Sequence, residues 1–152
     1  MDAPYNLQRF VDAQSSVYES VRRELRAGCK TGHWMWFIFP QLQGLGSSAM
    51  ARQYAIASLA EARAYLGHAI LGARLIECTQ LLIEVKNRKL EEIVGYPDNL
   101  KFRSCMTLFA HASPNNLIFI SALRQYCGGH EDEQTLKSLS PRERVAEGRV
   151  RE

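Results

Sequence analysis

Gly28-Cys-Lys30-Thr-Gly-His33-Trp34-Met-Trp36-Phe-Ile-Phe39-Pro40-Gln41-Leu-Gln-Gly44-Leu-Gly46-Ser47-Ser48 is a stretch without helical spacing in a chain that is otherwise periodic. Its centre puts four aromatic rings into six residues and is closed by Pro40. That run is too short for a helix of its own, so it predicts a buried extended segment followed by a Gly-rich loop. The fold therefore turns on what surrounds it.

On the N-terminal side, Leu7, Phe10, Val11, Val17, Tyr18, Val21 and Leu25 share one helical face. Gly28 is a stop, giving one helix over about 6–27. On the C-terminal side, Ser47 or Ser48 caps a helix through about Ala57, and Ser58-Leu-Ala-Glu61 is a capping-box pattern. Leu71, Leu75, Cys78, Leu82 and Val85 recur at spacings of 4, 3, 4 and 3, an amphipathic helix over about 70–87. Leu90 to Gly95 adds a turn, and Asp98 is read as the cap of a helix reaching about Ala110. Phe102, Cys105, Met106 and Phe109 face inward on it. Ser113-Pro114 starts a long helix ended by Gly128-Gly129. Asp132 caps a last short one. The expectation is a mainly α, single-domain bundle of about five to seven helices around the irregular segment 28–48. The domain spans 1–140, and 141–152 form a charged tail.

The chain has 152 residues, is 46% hydrophobic and 23% charged, and carries a net charge of +3. A domain of this length buries roughly 70% of its unfolded surface without staples. Disorder and collagen-like structure are excluded. The small net charge and the mixing of Arg22, Arg23, Arg26, Lys86, Arg88 and Lys89 with acidic neighbours argue against nucleic acid. The longest apolar run, Trp34 to Phe39, has six residues, far from a membrane span. Cys29, Cys78, Cys105 and Cys127 form no C-x-x-C. The first residues, Met1 to Asn6, lack the features of a secretory leader. Reduced thiols and a cytoplasmic location are the expectation.

No H-E-x-x-H, G-x-S-x-G or phosphate-loop motif occurs, so neither a metal nor a cofactor is implied. The candidate site falls within the irregular stretch. Trp34 and Trp36 suit the walls of a small-ligand pocket. Gly44, Gly46, Ser47 and Ser48 precede a helix and let backbone N–H groups approach an anion. Lys30 supplies charge, and Asp98 and Lys101 join if the fold brings them near. His33 titrates near neutrality and is the acid–base candidate. His68 and His111 lie by helix ends, where capping is expected; His130 sits in an exposed turn.

Asn6 to Gln14, His33-Trp-Met-Trp-Phe-Ile-Phe-Pro-Gln41 with Gly44-Leu-Gly46, Tyr54-Ala-Ile, Glu61 to Leu66, Gly67-His68, Leu71-Gly72 and Asp98 to Phe109 continue one pattern in order. In this the chain resembles a bacterial domain-of-unknown-function family, mainly helical, often labelled "calpastatin". Such an inhibitor would be polar, disordered and repetitive, which this composition contradicts. The resemblance implies a helical domain without an established activity. Asn6, Ala69 and Cys105 depart from it at caps and turns. A remoter similarity, to the NADAR families associated with NAD and ADP-ribose, rests on Ser48 to Tyr54, Leu71 to Arg74 and Lys101-Phe102. Met50 stands where that pattern has an acidic residue, which removes glycosidase chemistry and leaves binding.

Two functions follow as expectations. The first is a pocket for a phosphorylated or nucleotide-like small molecule in a monomer or weak dimer, with or without catalysis. The second is a non-catalytic protein-interaction module. RNA binding ranks last, because Lys30 is the one cation close in sequence to the Trp pair.

Overall fold

The computed structural model describes residues 5–139, in which ten helices surround one aromatic core. The fold is mainly α, as expected, with more and shorter helices than the five to seven read from periodicity. The charged tail expected over 141–152 lies outside the described residues.

The predicted helix 6–27 is two helices, α1 (Gln8–Ser15) and α2 (Tyr18–Ala27). The break falls at Ser16-Val17, just after the Ser15 hydroxyl turns back to Val11 O at 2.8 Å. Serine side chains compete for backbone partners in this way and weaken a helix locally. The break lets α1 pack on the aromatic segment and α2 on α6 (Leu71–Ile83). Gly28 stops α2 as predicted, in the left-handed conformation at φ 70°.

The segment 34–39 is not extended. Met35–Ile38 form a helical turn, α3, with Ile38 N donating to Trp34 O (3.1 Å) and Phe39 N to Met35 O (3.0 Å). No neighbouring strand exists among the described residues to take those amides. A buried backbone must then satisfy itself internally, and the helical turn does so. The turn also fans the side chains in several directions, so that Trp34, Met35, Phe37, Ile38 and Phe39 are all buried.

Beyond Pro40 the chain makes an excursion closed by a parallel bridge. Ile56 N donates to Gln41 O at 2.9 Å, and Gln43 N to Ile56 O at 2.8 Å. Within the excursion lies α4 (Ala49–Gln53), capped by Ser48, whose hydroxyl accepts from Ala51 N at 3.1 Å. α4 stops short of the predicted Ala57 because Tyr54 turns inward against Phe10 and Phe37, and the chain extends into the bridge.

α5 (Leu59–Gly67) begins at the predicted Ser58 cap. Glu61, however, does not close the box. Its carboxylate accepts from Ala57 N at 2.7 Å and meets Arg9 at 3.2 Å, 2% exposed. His68 Nδ1 accepts from Ile70 N (3.1 Å) and Leu71 N (3.3 Å), capping the start of α6 as expected. At Gly72 the two helices come so close that an added Cβ would lie 2.1 Å from Leu66 O.

α7 (Leu90–Val94) precedes α8 (Asp98–Ala112), which runs through the middle of the molecule. From Ser104 to Ala112 every residue of α8 is buried, and Phe102, Cys105, Met106 and Phe109 point inward as predicted. Each large apolar side chain so buried contributes about 1.5–3 kcal/mol. His111 does not cap. It is buried, with Nε2 2.8 Å from Glu131 and no partner at Nδ1 among the described residues. His130 is exposed, as expected.

α9 (Ile118–Cys127) starts later than Ser113. The poor helix formers Asn115 and Asn116 lie in the turn that sets α9 along α8. α10 (Glu133–Ser138) has the predicted Asp132 cap, which accepts from Thr135 N at 2.9 Å. The four cysteines are free thiols. Among the described residues no single helix is long and apolar enough to cross a membrane.

Candidate functional site

The irregular stretch is pinned to the bundle before it reaches its tryptophans. The Glu24 carboxylate accepts from Thr31 N (2.9 Å), Gly32 N (3.0 Å) and Trp34 Nε1 (2.9 Å). Burial alone would raise that carboxyl. The donated hydrogen bonds from Gly32, Thr31 and Trp34 outweigh it and hold Glu24 below the ordinary carboxylate range. Lys30 N donates to Ile93 O at 2.7 Å, and Lys30 Nζ to Gly32 O at 2.6 Å. The indole N–H, the costly polar atom of a buried Trp, is thereby satisfied.

Asp98 joins two lysines. Its Oδ2 lies 2.8 Å from Lys30 Nζ and its Oδ1 3.5 Å from Lys101 Nζ. Lys30 Nζ sits 5.1 Å from the centre of the Trp34 ring, and Lys101 Nζ 4.9 Å from that of Trp36. Two cation–π contacts therefore share one carboxylate. Asp98 is not the N-cap read from the sequence. Pro97 holds that position and Asp98 is the first helical residue, its side chain spent on the lysines.

The two indoles have different surroundings. Trp34 is buried at 2% exposure, while Trp36 is half-buried and forms a wall of an open groove of about 430 Å³. Lys101, Gly46, Ser47, Ser48 and Gln41 line the same groove, together with Leu100, Ser104, Asp132 and Gln134. Gly44 lines a narrow cleft beside it, shared with Trp36 and Lys101. Gly44 adopts φ 91°, a conformation other residues rarely take.

Of the residues singled out by sequence, the fold thus gathers Trp36, Gly46, Ser47, Ser48 and Lys101 around the groove, with Gly44 beside them. Lys30 and Trp34 stand behind it, linked through Asp98. His33 is exposed, does not line the groove, and makes no ring hydrogen bond or ion pair among the described residues. Arg74, part of the remoter similarity, is not in the groove either. It stacks over Tyr18 and donates to Gln14 Oε1 at 3.2 Å. Asp98, expected to join if the fold brought it near, stands beside the groove as the partner of Lys30 and Lys101; the pairing itself was not legible, because nothing local couples residues 68 positions apart. Ser104 and Gln134 carried no signal, and Gln41 stood in the family-like motif without a role of its own. Among the described residues, no three His, Cys, Asp or Glu side chains group as metal ligands would.

Fold and groove together define a class, a small all-helical domain with an open aromatic and cationic groove. The chain belongs to the family described as "Protein of unknown function (DUF1810)", which matches residues 4–139. It is similar to the conserved hypothetical protein Rv1873 from Mycobacterium tuberculosis. Their identity is 57%, covering 90% of this chain and 97% of that one, and that crystal structure superposes with a TM-score of 0.89. The resemblance carried by His33 to Gln41 holds. No curated protein matches the sequence.

Proposed function

We propose that the Trp36 groove binds a phosphorylated or nucleotide-like small molecule. The carrying observation is the half-buried Trp36 ring with Lys101 Nζ at 4.9 Å, both facing one groove. A planar ring would stack on the indole, and an anionic group would meet Lys101 and the Ser47 and Ser48 hydroxyls. α4 has five residues. So short a helix carries little macrodipole, and the electrostatics rest on Lys101. His33 has no part in this groove, and no reaction is assigned.

Titration with AMP, ADP-ribose, ribose 5-phosphate and inorganic phosphate tests this, read by tryptophan fluorescence and thermal shift. Saturation at 100 times the dissociation constant stabilises by about 2.7 kcal/mol. Trp36→Ala and Lys101→Ala should each weaken binding about tenfold or more, and His33→Ala should leave it unchanged. A flat panel at millimolar ligand overturns the reading. The protein-interaction alternative is favoured by one observation: Tyr96 (71% exposed) and Leu100 (44%) are apolar surface at the start of α8, Leu100 on the groove wall. That flat panel would leave the alternative standing.

A further inference from the structure

Trp36, Gln41, Gly46 and Lys101 line both the open groove and the narrow cleft beside it, so they stand where the two meet. Gln41 is fixed at its backbone and uncommitted at its side chain. Its carbonyl accepts from Ile56 N at 2.9 Å, and Gln43 N donates to Ile56 O at 2.8 Å, so the parallel bridge grips the chain around it. Its chain neighbours, Pro40 and Leu42, are buried. The Gln41 side chain is half-buried in the groove wall, and its amide makes no hydrogen bond among the described residues. Nor is that amide sealed in. Among the described residues the enclosed side-chain atoms without a partner are Arg22 Nε, Asn99 Oδ1 and His111 Nδ1, and the Gln41 amide, which is not one of them, is reached from the groove.

Other polar side chains of the groove serve the fold. Ser48 Oγ accepts from Ala51 N, Ser104 Oγ donates to Leu100 O at 3.1 Å, and Asp132 Oδ2 accepts from Thr135 N and Oγ1. Ser47 and Gln134 are uncommitted but exposed, where water already serves them. Gly46 lets its loop lie against the Gln41 amide: a Cβ there would stand 4.0 Å from Gln41 Nε2 and 2.8 Å from the Ala51 Cβ. An amide sets a donor and an acceptor side by side in one plane. A ring stacked on Trp36 carries its own hydrogen-bonding groups in its plane, at its edge, and the amide beside the indole can pair with that edge through both atoms. A phosphate is an acceptor and answers the amide N–H alone. A sugar hydroxyl engages one atom at a time. An edge with a donor next to an acceptor, as the nucleobases have, answers both.

We infer that Gln41 is the specificity-determining residue of the groove, and that the ligand is a nucleotide read through the edge of its base rather than a sugar phosphate. This rests on the reading of the groove given above, with the base on Trp36 and the phosphate at Lys101. Because the bases place that edge at different distances from the phosphate, Gln41 pairs well with some and poorly with others.

The test is calorimetric titration of the full chain with AMP, GMP, CMP, UMP and ribose 5-phosphate. In the wild-type protein the best nucleotide should bind about tenfold tighter than ribose 5-phosphate, and about tenfold tighter than the worst-matched base. Gln41→Met keeps the length of the side chain, removes its donor and acceptor, and breaks no hydrogen bond of the fold, so thermal melting should not change. It should bring the four nucleotides to within about twofold of one another and leave ribose 5-phosphate as it was. Gln41→Glu, which keeps the shape and loses the donor, should change the order of the bases. Ribose 5-phosphate binding as tightly as the best nucleotide overturns the inference and leaves the groove a site for phosphorylated ligands. Equal binding of the four nucleotides by the wild-type protein does the same, as does a base order that persists in both variants. Absence of binding by all five ligands at millimolar concentration overturns this inference and the reading of the groove together.

Discussion

Lys30 over Trp34 and Lys101 over Trp36 are the same arrangement twice, a cation on an indole face tied to Asp98, but they sit at different depths. The Lys30 side chain is 8% exposed and its indole 2%; the Lys101 side chain is 24% exposed and its indole forms a groove wall. At the inner pair every polar atom is committed within the fold, to Glu24, Gly32 and Asp98. At the outer pair the looser 3.5 Å contact leaves ammonium and ring able to meet something else. Burial thus turns one chemistry into structure at one place and into a candidate site at the other.

The sharpest way to break the comparison is truncation of each ring. Trp34→Ala should cost about 3–5 kcal/mol, which for this size lowers the melting temperature by roughly 10 °C or more. Trp36→Ala should cost about 1 kcal/mol and be felt in ligand titrations instead. Equal losses in thermal melts would show that both rings are core. Next comes the shared carboxylate. Asp98→Asn leaves Lys30 enclosed without its counter-charge and should cost about 2 kcal/mol, less than a fully buried pair because Asp98 is partly exposed. Lys101→Ala should cost under about 1 kcal/mol, as exposed pairs do. Urea midpoints for the two variants decide the order, and Lys101→Ala as the more damaging change would invert the comparison.

A smaller effect is expected with pH. Glu24 titrates below its ordinary 4.5 in the folded protein. Its stabilisation is therefore complete above that value and is lost as pH falls through the folded-state value. Between roughly pH 5 and pH 3, the wild-type protein should lose more stability than Glu24→Gln. Parallel acid curves would detach Glu24 from the pinning of Trp34. The smallest effect is on thiol labelling. Exposed Cys29 should react first. Cys78, whose thiol burial pushes up to about 12, and Cys105 should react only on unfolding.

Local signals were legible where one short-range interaction decides. The 4-3-4-3 spacing that begins at Leu71 gave α6, which stops at Ile83 rather than about 87, and Ser48, Ser58, Asp132, Gly28 and Gly128 mark helix ends as read. The errors fall where a distant partner decides. α1 parts from α2 where Gln14 is drawn to Phe37 O (2.7 Å) and Tyr65 (3.0 Å). The aromatic run coils because no strand lies beside it. Asp98 resembles a cap until Lys30 is known to stand against it. For the site, residue types and the Gly44–Ser48 loop were readable. Which of two neighbouring tryptophans reaches the groove was not, because it depends on where α8 passes.

Gly72 carries a last consequence. Most contacts between helices are made by side chains and yield when one is trimmed or enlarged. At the α5–α6 corner a carbonyl oxygen occupies the place a side chain would take. Position 72 therefore behaves as a one-letter lock. Random mutagenesis followed by selection for folded protein should return glycine there and nothing else, although the residue is no part of the Trp36 groove and bears no chemistry of its own.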